Sequence, residues 1–178
     1  FSSRRRHTRL LTVTGVQTCA LPISRDDGIA GLRFLATPEK PFYYLDTHKH
    51  TVPTQVSTVS LDEYLKDLKI IDRISFMKID VDGPELLVLE SAQSLLKNKD
   101  LKILIEWDQE SAKWSCCDPA AMIDLLAEND FKIFYPDYKS NKFFEISKTE
   151  LLKIKADETI NILCTKDPLT LRDNGLLK

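Results

Sequence analysis

Ile74-Ser75-Phe76-Met77-Lys78-Ile79-Asp80-Val81-Asp82-Gly83-Pro84 is the stretch from which the rest of the chain is read. Residues 74–81 form a mostly apolar run of strand length, and Gly83-Pro84 ends it. Proline suits the first turn of a helix, where its missing N–H is not needed. Leu86, Leu87, Leu89, Ala92, Leu95 and Leu96 then recur at helical spacing and predict an amphipathic helix over 84–97. Leu101 to Trp107 (LKILIEW) predicts a second apolar strand. Two near-continuous apolar strands joined by a helix describe a β-α-β unit, with parallel strands buried on both faces and a right-handed crossover. The expected fold class is therefore α/β.

Working outward, Leu32–Ala36, Phe42–Leu45 and Val56–Val59 read as short strands, with a loop over Thr47–Gln55 around Pro53. Ser60-Leu61-Asp62-Glu63 has the spacing of a capping box, and Leu61, Tyr64, Leu65 and Leu68 give one apolar face to a helix over 61–69. Downstream, Asp118-Pro119 opens a helix whose apolar face includes Ala121, Met122, Leu125 and Leu126. Phe131–Tyr135 and Phe143–Ile146 read as strands around a polar turn. Ser147 to Glu150 is a second capping box, Thr159–Thr165 a final strand, and Asp167–Lys178 a tail.

The first 24 residues differ from the rest. They hold Arg4, Arg5, Arg6 and Arg9 and no acid, whereas the whole chain of 178 residues carries a net charge of −2. A secretory signal would be interrupted by Thr12, Thr14, Gly15, Gln17 and Thr18, and an Arg-rich, acid-poor transit peptide is a second reading. The third is an artefact: Val13 to Ser24 (VTGVQTCALPIS) resembles the conceptual translation of a sequencing-library adapter. Residues 1–24 are accordingly set aside as an expected artefactual leader, leaving a domain over 25–166. Re-sequencing the source locus through the codon for Ser24 decides whether the leader is an artefact or real.

Composition excludes several functions. Only five glycines occur, at Gly15, Gly28, Gly31, Gly83 and Gly175, so neither G-x-G-x-x-G nor G-x-x-x-x-G-K can be written. No run of about 18 apolar residues predicts a membrane span. The slightly negative charge gives no support to a nucleic-acid partner. Cys116, Cys117 and Cys164 make no disulfide framework or C-x-x-C site, which suits a reducing, cytoplasmic setting. His48 and His50 have no third ligand placed by the sequence, and no metal site is assigned.

Sites in open α/β sheets form beyond the carboxyl ends of the strands. Here the first parallel strand ends in Asp80 and Asp82, and the second in Glu106 and Asp108. Lys78 lies two residues before Asp80, so both point to one face of the strand. A lysine in a buried strand is costly unless paired. The alternatives are a structural ion pair with a neighbouring carboxylate and an active-site pair.

These residues carry a family resemblance. Val59-Ser60-Leu61-Asp62-Glu63-Tyr64-Leu65, Met77-Lys78-Ile79-Asp80-Val81-Asp82-Gly83-Pro84-Glu85, Val88-Leu89-Glu90-Ser91-Ala92, Ile105-Glu106 and Asn161-Ile162-Leu163-Cys164 resemble the FkbM-type family of S-adenosylmethionine-dependent methyltransferases. The likeness covers roughly 25–165. It departs at Asp82, where the family usually has glutamate; the charge is kept and the reach shortened. The resemblance implies a Rossmann-like class I methyltransferase sheet ordered 3-2-1-4-5-7-6, with strand 74–81 as its fourth and 101–107 as its fifth. The glycine-rich cofactor loop and ribose-binding acid of the family belong to earlier strands. The chain is thus expected to be the C-terminal part of such a domain, lacking its first three strands, poorly soluble and unable to bind the cofactor alone.

For the parent, the resemblance implies O-methylation of a hydroxyl-bearing metabolite or sugar with S-adenosyl-L-methionine as cofactor. Asp80 is the expected cofactor-binding residue, Asp82 and Glu106 the candidate proton acceptors, and Lys78 and Glu85 their orienting partners. A small-molecule or glycan acceptor is the only partner expected. Two other classes are weighed. Asp80-Val81-Asp82-Gly83 also matches the D-x-D-G start of haloacid-dehalogenase-like phosphatases, which need Mg²⁺; Lys78 in the strand and the lack of later metal-ligand motifs count against it. A non-catalytic scaffold with a structural carboxylate rim is the third.

Overall fold

A computed structural model describes the backbone of residues 28–36, 41–46, 54–155 and 158–177, and side chains from 59 onward except those of 114, 156, 157 and 178. The arginine-rich segment 1–24, His48 and His50 lie outside the described residues. Strands β1 (Gly28–Ala36), β2 (Pro41–Asp46) and β3 (Thr54–Thr58) form an antiparallel sheet in the order β2-β1-β3. The three short strands expected there fall on these elements, with β1 starting earlier than its apolar residues suggest.

The second sheet positions the candidate site. Its strands are β4 (Phe76–Ile79), β5 (Lys102–Trp107), β6 (Lys132–Asp137), β7 (Lys142–Glu145) and β8 (Ile160–Thr165), in the order β4-β5-β8-β6-β7. β4 and β5 are parallel, as the β-α-β reading expects, and every other neighbouring pair is antiparallel. Ile103 and Ile105 of β5 and Ile162 and Cys164 of β8 are fully buried. With Leu89, Leu96 and Leu126 from the helical segments they make the centre of the main core. Each such side chain contributes about 1.5–3 kcal/mol by leaving water.

The helices are α1 (Leu61–Asp67), α2 (Glu85–Glu90), α3 (Gln109–Trp114), α4 (Pro119–Glu128), α5 (Lys148–Leu151) and α6 (Leu169–Asp173), with single 3₁₀ turns at Ile71–Arg73 and Leu95–Lys97. α4 starts as read, with the Asp118 carboxylate accepting from Ala120 N–H. The capping box at Ser147 and Glu150 is fully formed.

Four expectations are corrected. The helix read over 84–97 is split: α2 ends at Glu90, and a 3₁₀ turn resumes at Leu95. The Ser91 hydroxyl donates to Val88 O at 2.7 Å, a local bond that competes with the helical ladder. The Asp62 carboxylate then accepts from Ser94 N–H at 2.5 Å and Leu95 N–H at 3.1 Å, capping the second turn from another element. The capping box read at 60–63 is absent for the same reason. Ser60 Oγ donates to Ser91 O, Leu61 N–H donates to Ser91 Oγ, and Glu63 pairs with Lys66 at the surface. The strand read over 74–81 is only four residues long. Residues read as a tail form α6, whose Leu171 is buried against Phe134 and Leu163. Asp167-Pro168 repeats the helix-opening signal of Asp118-Pro119, and that signal was legible in the sequence.

Asp62 is 7% exposed and fastens two backbone amides. Asp62→Ala is expected to cost about 2 kcal/mol, because amides turned from water lose a charged acceptor. Asp62→Asn, which keeps one acceptor oxygen, should cost less. A urea midpoint unmoved by Asp62→Ala would show that these amides find other partners.

Candidate functional site

The β4–β5 register pairs Lys78 with Leu104 and Ile79 with Ile105, so its next step brings Asp80 beside Glu106. After β4 the chain turns sharply. Asp82 takes φ +55° and Gly83 φ +125°, both in the left-handed half of backbone space, before α2 begins. The turn is held from inside by Glu85, 5% exposed, whose Oε1 accepts from Gly83 N–H at 3.0 Å and Val81 N–H at 3.3 Å. Lys78 forms an ion pair and hydrogen bond with Asp80 Oδ2.

Asp80, Asp82 and Glu106 each offer a carboxylate oxygen within 4.8 Å of the others. Lys78 and Glu85 flank this group, so all five candidate residues read from the sequence come together at one rim. The sequence reading assigned no metal. The three carboxylates are the one group of potential metal ligands among the described residues, and their spacing is one a divalent cation could bridge. Asp108, read at the same rim, is engaged elsewhere. It caps α3 by accepting from Glu110 and Ser111 N–H, and Thr159 Oγ1 donates to it. α3 was not foreseen, although Asp108 followed two residues later by Glu110 is an N-terminal helix signal.

Crowding shifts the rim's titration. Burial, then the charge of Asp80 and a hydrogen bond to it, then Asp82 and Glu85, push Glu106 up to about 7. Burial also raises Glu85 to about 7, against the opposing pull of the amides of Gly83, Glu85 and Val81. Asp82 is raised by partial burial of its carboxyl group and by the charges of Asp80 and Asp108. Lys78 is raised chiefly by its bond to Asp80.

These shifts set a pH dependence. A carboxyl group whose folded pKa lies above its unfolded value favours folding while protonated. That stability is full below the ordinary value of 4.5 and is lost as pH rises through about 7. For the buried Glu85 the loss is at most about 3 kcal/mol, and Glu106 adds in the same direction. The urea midpoint should therefore be higher at pH 5 than at pH 8, and Glu85→Gln should shrink the difference. A flat profile would sink this account.

A cleft wraps the end of β5, lined among others by Glu85, Leu86, Glu106, Trp107, Asp108 and Met122. Trp107 is 2% exposed, and its Nε1–H has no partner among the described residues. Strand alternation places Trp107 in the core, and nothing in the sequence signals that its N–H goes unmet.

Among the described residues no helix is long and apolar enough to cross a membrane. No curated protein and no solved structure matches the chain. A family model described as the methyltransferase FkbM domain matches residues 15–133, from inside the N-terminal segment set aside above to the start of β6. With two thirds of its length covered and the K-I-D-V-D-G-P-E turn at the centre of its rim, the chain belongs to the FkbM methyltransferase family.

Proposed function

We propose that this domain serves methyl transfer from S-adenosylmethionine to a hydroxyl group of a small-molecule or glycan acceptor. The observation that carries the reading is the convergence of Asp80, Asp82 and Glu106 beyond the carboxyl ends of two parallel strands. The strand order supports a Rossmann-like methyltransferase sheet. The run β4-β5-β8-β6 is compatible with the 4-5-7-6 end of the order implied by the family resemblance, and β7 extends it by one antiparallel strand.

The donor set suits this cofactor's charge, since carboxylates face a sulfonium and an ammonium group favourably. Asp80 is the residue assigned to its methionine end, with Lys78 and Glu85 holding Asp80 and the turn in place. When bound, the cofactor supplies an activated methyl group on sulfur. The chain's own residues orient the acceptor hydroxyl and take its proton. Glu106 is the first candidate, because a base with a pKa near 7 is matched to neutral pH. Asp82 is the second.

The test is an assay of labelled methyl transfer to polyols and sugars, on the protein translated from the re-sequenced source locus. Label on an acceptor oxygen is the expected result. Mg²⁺-dependent hydrolysis of a generic phosphate ester, without methyl transfer, would replace this reading with the phosphatase one. Absence of both would leave a scaffold.

A further inference from the structure

We propose that the open edge of β4 is a self-association surface: a second copy of this chain adds its own β4 there, antiparallel and two-fold symmetric about Ile79, so that Lys78 of each copy faces Asp80 of the other. The inference is independent of the methyl-transfer reading.

β4 pairs with β5 on one side, and no other strand joins its far side among the described residues. Lys102 N–H donates to Ser75 O at 2.9 Å. In a parallel ladder this turns the backbone groups of Met77 and Ile79 toward β5, and those of Phe76, Lys78 and, one step on, Asp80 toward the open edge. Open edges invite strand addition, and proteins commonly ward it off with a lysine. Lys78 stands in such a place, but Asp80 follows it on the same face and pairs with it. Both side chains keep part of their surface in water, 34% for Lys78 and 24% for Asp80. The edge thus carries a positive and a negative group two residues apart, and it is complementary to its own reverse.

A two-fold axis normal to the sheet pairs each residue with one on the same face of the other copy, which limits the registers. Centred on Lys78, the pairing sets lysine opposite lysine; centred on Asp80, it sets acid opposite acid. Like charges directly opposite are destabilising. Centred on Met77, it sets Lys78 opposite Phe76 and leaves Asp80 without a partner across the seam. Centred on Ile79, it sets Lys78 opposite Asp80 at both ends. These are also residues whose backbone groups point outward, so each such pair exchanges both N–H···O bonds. On the other face Met77 meets Val81 and Ile79 meets its own copy, all apolar. Asp80 belongs to the rim cluster, so each rim gains the lysine of the neighbouring copy. The contact is short, and the dimer is accordingly weak and salt-sensitive.

The experiment uses the full chain. Sedimentation equilibrium should show reversible monomer–dimer exchange below about 1 mM, weakened by added salt. Over the same concentrations, hydrogen exchange at the Lys78 and Asp80 amides should slow, by about tenfold once nine-tenths of the chain is dimeric. The Phe76 amide, which this register leaves open, should not respond. Protection at Phe76 and Lys78 without Asp80 would mean a different register and overturns the proposal. Protection that does not depend on concentration would show an occupant from the same chain and overturns it too. So does a chain that stays monomeric to about 1 mM, or one that passes directly to larger aggregates. Lys78→Asp and Asp80→Lys should each abolish the dimer, and an equimolar mixture of the two should restore it. Only the mixed pair sets acid opposite lysine at both ends. A mixture that stays monomeric while both variants are folded by circular dichroism overturns the pairing about Ile79. Should either variant fail to fold, the exchange pattern of the unsubstituted chain decides alone.

Discussion

Replacing Gly83 with alanine is expected to destabilise the chain by roughly 3 kcal/mol or more. Two penalties add. At φ +125° an L residue is strained wherever it stands. In addition, a Cβ on Gly83 would lie 2.3 Å from the backbone oxygen of Ser111 and 2.4 Å from Ser115 Oγ. Ser111 O belongs to α3, so relief requires the whole helix to move away from the turn. Gly175 is the internal control. Its φ is +66° but nothing lies within 4 Å of its Cβ position, so Gly175→Ala should cost only the conformational term, about 1–2 kcal/mol. Urea unfolding of both variants separates the terms. Equal losses would show that α3 does not rest on the turn.

Asp80→Ala in the active protein should bring turnover to background while leaving a cooperative fold. Asp80 is the first residue past β4, is paired by Lys78, and stands nearest Glu106 in the strand register. Removing its carboxylate takes away the charge assigned to the cofactor's cationic end. It also leaves Lys78 unpartnered at the rim and removes the largest charge effect raising Glu106. The pH–rate profile should shift with it: residual activity, if measurable, should have its acid limb at lower pH, because Glu106 relaxes toward ordinary carboxylate behaviour. Near-normal turnover would remove Asp80 from the site.

Much of this arrangement was legible in the sequence. The parallel pair β4–β5, the helix at Asp118-Pro119 and the capping box at Ser147 follow from local patterns that tertiary structure did not override. The five rim residues were found because strand ends and a family motif coincide. What escaped has a common cause. Leu95 and Leu96 keep helical spacing across the break at Ser91, since periodicity records which side chains face the core, not which amides are bonded. The break begins with the Ser91 hydroxyl bonded to Val88 O and is held by Asp62, more than thirty residues away, which no local pattern contains. The unmet Trp107 N–H is likewise a property of packing. α3 and α6 are different: Asp108 caps α3, and Asp167, just before the Pro168 that opens α6, accepts from Leu169 N–H, so both signals were present in the sequence.

The clasp between Ser60–Asp62 and Ser91–Leu95 ties together the two ends of a stretch that contains β4, the strained turn and α2. A closed loop of this kind exchanges its amides as one cooperative unit, because opening either end releases both. Hydrogen exchange at Leu61, Asp62 and Leu95 should then report a single opening free energy. Within that loop the turn at Asp80–Gly83 has its own fastening, the Glu85 carboxylate, so its amides can keep an independent clock. The fold thus separates the tempo of its rim from the tempo of the scaffold that carries it.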